Sequence, residues 1–381
     1  MKSDRTSDSP RPMTRRSQGG QVIVIFGLAL VAIVAMVALI VEGGNAFAQQ
    51  RITQNGADAA ANAGAVVLAQ QLGSPGTKSD ADVDAAVDSV AGLNNLVSWT
   101  GYYTNVAGAF ISPGGAIVGS KASAAVVGAG AIPPGAQGVL VGGTRDFGTS
   151  FARVIGITSM NAAADATAVA GRLTGGPFLP VIFPINIVDC DVSGSLGTGE
   201  ANWILSDPDG PDAGLEPDGQ EYIVPLCKTG GGSFQILDLV PGLRCDDEIA
   251  SEISVNWPTL PVDVPSDNGN NCAKPIAEYV NANFQGEIVF IPICEVDCVT
   301  TGGSKAFYTV VKVAAFYLDY MEDSNNPNNS ACQGNGGSLI TIAGNGSSSC
   351  VAGWFVRYIT AGPVGAGPIG NSDAVGVQLI H

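Results

Sequence analysis

Two stretches and one residue class could do chemistry. Asp191-Val192-Ser193-Gly194-Ser195 sets a carboxylate and two hydroxyls at alternate positions. Asp191, Ser193 and Ser195 are hard oxygen ligands of the kind Mg²⁺ takes. Residues 207–221, DPDGPDAGLEPDGQE, hold six acids and no base. Such carboxylates suit Ca²⁺, but the register of a helix–loop–helix calcium site fails. Counting from Asp207, position five is Pro211 and position six is Asp212 where glycine is needed. The acidic stretch therefore reads as a solvated turn. The residue class is cysteine: Cys190, Cys227, Cys245, Cys272, Cys294, Cys298, Cys332 and Cys350 all lie within residues 173–381. An even number beyond a membrane segment reads as disulfides, four if all pair. Sequential pairing is the expectation: 190–227, 245–272, 294–298 and 332–350. A zinc site would need paired C-x₂-C units. The one close pair, Cys294 and Cys298, is C-x₃-C without a partner pair.

Composition narrows the rest. The one histidine is His381. No Ser-His-Asp or Cys-His arrangement can be built around an internal base, and no His-rich metal site is possible. The net charge of −17 argues against nucleic acid, which needs a basic footprint. The expectation is no enzyme, no catalytic residue, no resident metal, no cofactor and no small-molecule substrate.

The elements around these residues begin with Val22–Val41, VIVIFGLALVAIVAMVALIV, which has no charge and no strongly polar side chain. At 1.5 Å per residue, a helix of this length spans ~30 Å, the thickness of a bilayer's hydrocarbon core. Before it stand Lys2, Arg5, Arg11, Arg15 and Arg16 against Asp4 and Asp8; the remainder is strongly acidic. Positive charge near a span stays cytoplasmic, so the expectation is a single pass with the N-terminus inside and the bulk extracytoplasmic. Ala46-Phe47-Ala48 could serve signal-peptide cleavage, but the apolar run exceeds a signal core. Thr14-Arg15-Arg16-Ser17 lacks the apolar pair a twin-arginine signal wants. Processing at Gly19 or Gly20 would want a glutamate near Ile25. An uncleaved anchor is the preferred reading.

Past the span, residues 45–72 read as a continuing helix, weakened at Gly43-Gly44. Its small and apolar stripe is Ile52, Ala59, Ala63, Val66 and Val67, with Gln70 facing out. This stretch resembles the N-terminal segment of the TadG-like proteins of the Flp (Tad) pilus-assembly system. The likeness rests on Gly19-Gly20-Gln21, the apolar span and Glu42. It continues through Arg51, Gln54, Ala57-Asp58-Ala59-Ala60-Ala61 and Gly64-Ala65. The family's run is close to L-Q-x-A-A-D-A-A-A-L-A-G-A; this chain departs at Thr53, Gly56 and Asn62. Phe147–Gly171 is similar to the segment that closes the first extracytoplasmic domain in these proteins. EIVFIPIC and FYTVVKVAAFYLDY are similar to their last sheet. The resemblance implies a membrane-anchored accessory part of pilus assembly or related envelope machinery. Its partners would be the membrane and pilus-assembly or envelope proteins. Glu42, Arg51, Gln54 and Asp58 are the candidate partner contacts. Asp58 could pair with Arg51 of a neighbouring chain or be solvated, and Glu42 could pair with a partner's base or snorkel to the interface.

D-x-S-x-S also matches the metal-ion-dependent adhesion motif of von Willebrand A domains, which TadG-like proteins often carry. That fold needs strands alternating with long helices, and Pro180 and Pro184 interrupt the strand before the motif. A polar turn is the preferred reading; a surface adhesion or divalent-metal-binding protein is the alternative function.

The rest divides at Leu173-Thr174-Gly175-Gly176-Pro177. Before it, Ser79 caps a helix starting at Asp80, with Asp82 in the first turn and Val83, Ala86, Val87 and Val90 inward. Strands are expected near 101–106, 109–118, 137–142 and 161–171, and a short helix over 149–156. After it, short apolar runs between Gly, Pro, Asn and Asp clusters read as β-rich. One helix is expected over 275–283 and a loop over 361–370. The predicted class is α+β: cytoplasmic tail 1–21, transmembrane helix 22–41, family-like segment and α+β domain 42–172, and a β-rich disulfide-bonded domain 173–381.

Overall fold

The computed structural model describes residues 19–184, 222–226, 233–239, 254–257, 259–268, 273–294, 307–322, 349–356, 358–366 and 374–380. Its helices are α1 (Gly19–Gly73), α2 (Asp80–Leu93) and α3 (Ala273–Phe284). Its strands are β1 (Ser98–Thr104), β2 (Gly138–Gly148), β3 (Ser159–Leu173), β4 (Gly175–Pro177), β5 (Phe183–Pro184), β6 (Tyr222–Leu226), β7 (Ser233–Leu237), β8 (Ser254–Asn256), β9 (Val262–Asn268), β10 (Ile288–Cys294), β11 (Phe307–Glu322), β12 (Ser349–Val356), β13 (Ile359–Ala361), β14 (Val364–Gly365) and β15 (Val375–Ile380). The class is α+β. Two compact units result: residues up to Ile52 with Arg145–Ala162, and Thr53–Thr144 with Ala163 onward.

In the first unit, α1 is one helix without a break at Gly43-Gly44. Each glycine in a helix interior costs about 1 kcal/mol against alanine, which the good helix formers on both sides offset. None of its apolar span is buried in the protein, so it is not a core helix. It is long and apolar enough to cross a membrane. The short helix expected over 149–156 is a 3₁₀ turn at Ala152–Ile155, closed by Gly156 at φ 93°.

The larger unit holds two main sheets. The first has the order β1-β2-β3-β15-β13, with β14 also on β3. Two helices cover it: α1 from Thr53 onward, and α2. Ala57, Ala60, Ala61, Ala65, Leu68 and Ala69 of α1 share a core with Val83, Val87 and Ala91 of α2, and with Tyr103, Val139, Val141 and Ala168 of the strands. The buried stripe of α1 is therefore rotated from the expected one. Ile52 and Val66 stay 41% and 38% exposed. The helix buries its smallest side chains because the contact is close: a Cβ on Gly64 would sit 2.9 Å from a Val87 methyl and 3.3 Å from one of Val139.

The start of α2 is a capping box. Ser79 Oγ accepts the Asp82 N–H, and the Asp82 carboxylate accepts the Ser79 N–H at 2.8 Å. Val83 and Val87 are buried as expected, with Ala91 in place of Ala86. The strand expected over 109–118 is instead a tight hairpin of isolated bridges, Thr104 to Phe110 and Ile111 to Ile117. Pro113-Gly114-Gly115 turns the chain there, with Gly115 at φ 86°.

The second sheet has the order β5-β10-β11-β12-β6, with β9 on β11 and β7 on β9. β10 and β11, which carry EIVFIPIC and FYTVVKVAAFYLDY, are antiparallel neighbours at its centre. α3 buries Ile276, Ala277 and Val280 against Ile291, Phe316, Leu318 and Phe355. Phe183, Phe316 and Phe355 pack edge to face at this core. Of the apolar run before Asp191, Phe183–Pro184 forms a strand, parallel to β10. Late in the chain, β15 lies antiparallel to β3 from Val375 opposite Arg172 to Ile380 opposite Thr167. The 361–370 stretch contributes β14, so it is not loop throughout.

Candidate functional site

Glu42 is the first polar residue after the apolar run, and its position on α1 aims it at the β2–β3 loop. Its carboxylate accepts the backbone N–H of Ser150 at 3.1 Å and of Phe151 at 3.0 Å. Asn45, one turn on and on the same helix face, donates to the Gly148 carbonyl at 3.5 Å. The loop braces itself: Thr149 N–H donates to the Thr158 carbonyl at 3.2 Å, and the Thr149 hydroxyl donates to the Ile157 carbonyl. A carboxylate receiving two backbone N–H groups forms charge-assisted bonds, roughly twice as strong as neutral ones. The junction thus fixes one loop to one helix level.

The other candidate contacts lie further along α1. Arg51 is exposed, and among the described residues it makes no ion pair. Gln54 donates to Asp58 Oδ1 at 2.8 Å and to the Asp165 carbonyl at 3.1 Å. Asp58 is half-buried under that bond. Asp165 on β3 pairs with Lys121 at 2.7 Å, both ends exposed, where such a pair contributes about 0–1 kcal/mol. Gln54 and Asp58 thus bond within the chain, leaving Arg51 as the candidate facing outward.

Cys294 and Cys350 end β10 and sit in β12; both are buried, and neither is a free thiol. Cys190, Cys227, Cys245, Cys272, Cys298 and Cys332 lie outside the described residues, and with them the expected pairing. So do Asp191, Ser193, Ser195 and the acidic stretch 207–221. Among the described residues no group of three or more His, Cys, Asp or Glu side chains is placed to hold a metal ion.

One polar site escaped sequence reasoning. Asp80 is only 3% exposed. Its Oδ1 accepts the Tyr103 hydroxyl at 2.7 Å and the Gly128 N–H at 2.9 Å; its Oδ2 accepts the Gly130 N–H at 2.6 Å. Burial, then the Asp80 carboxylate, raises the Tyr103 hydroxyl well above the usual tyrosine range, so it stays a donor. The site ties α2 to β1 and to the 128–130 turn. Asp80 has the sequence signature of an ordinary first-turn acid, and nothing local points at Tyr103.

Residues 20–67 match the family model described as putative Flp pilus-assembly TadE/G-like. The matched residues all lie within α1. No curated protein and no solved structure matches the chain.

Proposed function

We propose that this chain is a single-pass membrane-anchored structural part of Flp-type pilus assembly or related envelope machinery. It works by protein–protein contact and not as an enzyme. One observation carries the reading. The family match at 20–67 falls on a single helix that is apolar and uncovered over Val22–Val41, then packs its Ala/Gly face from Thr53 onward. The same helix therefore serves as anchor and as framework of the folded domain. The charge asymmetry around the span favours a cytoplasmic N-terminus and an extracytoplasmic bulk.

Glu42, Gln54 and Asp58 hold the chain's own groups, so we assign partner contact to Arg51, beside the exposed Ile52. Disulfides belong to this reading too. The cysteines of residues 173–381 pair as bridges in this reading; Cys294 and Cys350, both buried and neither a free thiol, support it. Each bridge would contribute roughly 2–4 kcal/mol.

The test is crosslinking in cells that carry the tagged full-length chain, followed by detergent extraction and mass spectrometry. Co-purified pilus ATPase, platform or pilin subunits are expected, and Arg51→Glu should reduce their yield. Recovery of the chain alone would overturn the reading.

A further inference from the structure

The β2–β3 loop and the start of β3 carry four apolar side chains at three-residue intervals, all open to solvent. Val154 is 87% exposed, Ile157 47%, and Phe151 and Met160 41% each. Arg153 stands among them, also exposed. A soluble surface seldom gathers this much apolar area in one short segment without using it. Two of the four, Phe151 and Val154, border or sit in the 3₁₀ turn at Ala152–Ile155.

The position of the loop says what covers it. Glu42 directly follows Val41, the last residue of the twenty-residue apolar run. Its carboxylate holds the Ser150 and Phe151 backbone N–H groups at 3.1 and 3.0 Å. Asn45 adds the contact to Gly148. If Val22–Val41 fills the hydrocarbon core, residue 42 marks the boundary with the headgroups. The loop is bonded at that level.

We propose that residues 149–160 form a second membrane contact, an interfacial wedge that seats Phe151, Val154, Ile157 and Met160 at the headgroup–acyl boundary where α1 leaves the bilayer. Arg153 lies among the lipid phosphates. The chemistry matches that of amphipathic interfacial segments, apolar side chains buried shallowly with a cation toward anionic lipid. Glu42 is the tie that sets the depth. The inference rests on the membrane-anchor reading of α1, and the experiment separates the two.

The full-length chain with Val154→Trp is reconstituted into vesicles of phosphatidylcholine and phosphatidylglycerol, part of the lipid brominated near the headgroup end of its acyl chains. Val154 is nearly fully exposed, so the added indole displaces no core contact. The wild-type chain gives the background of its four native tryptophans. Co-flotation of protein with vesicles tests the anchor by itself. With co-flotation established, the expected result is added emission that is blue-shifted and loses intensity in brominated vesicles. Added emission that is water-like and unquenched would overturn the wedge while leaving the anchor intact. Blue-shifted but unquenched emission would also overturn it, because protein, such as a second copy, would then cover the loop. Failure to float would remove the anchor reading and the wedge together.

Discussion

Replacing Gly64 with alanine should give no gain in stability and up to about 2 kcal/mol of loss, whereas the same replacement at Gly92 should stabilise the protein. Both glycines lie in helices, so both gain helical preference of about 1 kcal/mol or less. Their surroundings differ. A Cβ at Gly92 meets nothing within 4 Å. A Cβ at Gly64 meets Val87 Cγ2 at 2.9 Å and the two Val139 methyls at 3.3 and 3.4 Å. Carbon pairs settle at about 3.5–4.0 Å, so α1 or its neighbours must move by roughly half an ångström. Val87 cannot turn aside, since a helical valine keeps one rotamer about 90% of the time. It is also fully buried. Overpacking of this kind costs about 1–3 kcal/mol, which leaves Gly64→Ala neutral to destabilising by about 2 kcal/mol after the helical gain. Gly64→Val adds bulk and should cost more. The assay is urea unfolding of the full chain in detergent, read by circular dichroism. Val87→Ala supplies the internal check. It should harm the Gly64→Ala background less than the wild type, by a coupling of about 1 kcal/mol. If Gly64→Ala stabilises as much as Gly92→Ala, the close approach of α1 to α2 is wrong.

Asp80→Asn should cost about 2–4 kcal/mol, because the amide sets a donor against groups that all donate, and Tyr103→Phe should cost less. The double variant should fall short of additivity, and additive losses in the same unfolding assay would contradict a direct bond. The Ser79–Asp82 box makes α2 acid-sensitive. Hydrogen bonds from the Ser79 side chain and then its backbone lower the Asp82 carboxyl below its ordinary value of 3.8. Its contribution is therefore present above that value and lost as pH falls through the lowered folded-state value. Amide exchange in the first turn of α2 should rise there in the wild type and lose this pH dependence in Asp82→Ala. At the alkaline end, the raised Tyr103 hydroxyl gives stability that is whole below about pH 10 and declines as pH climbs toward the folded-state value; Tyr103→Phe should flatten that decline in a denaturant series. Glu42→Ala should free the 149–160 loop, seen as faster amide exchange at Ser150 and Phe151 and faster cleavage after Arg153 by trypsin. Unchanged exchange would mean the carboxylate does not hold the loop.

Features written in adjacent residues were legible. The unbroken apolar run marks the exposed part of α1, Ser79 and Asp82 mark the start of α2, and the helix expected over 275–283 is α3. The buried stripe of α1 is not legible in the helix alone, because hydrophobicity favours Ile52 and Val66, while packing at this distance selects Gly64, Ala60 and Ala57. That choice depends on Val87 and Val139, which the helix's own sequence does not contain. Asp80 was hidden for the same reason: its partners are 23, 48 and 50 residues away. The place of Glu42 at the end of the apolar run is plain from its neighbours, but its bond to Ser150 and Phe151 spans more than a hundred positions.

The pairing of β15 with β3 also bears on how the chain is made. Residues 167–172 emerge from the ribosome about two hundred residues ahead of the strand that lies beside them. Contacts this distant in sequence form late, since the intervening chain must first be gathered in. Until then one edge of the first sheet stays open, with unpaired N–H and C=O groups that invite pairing with a neighbouring copy. A chain that stops before residue 375 would therefore keep the β3 edge open and be prone to pair with its own copies.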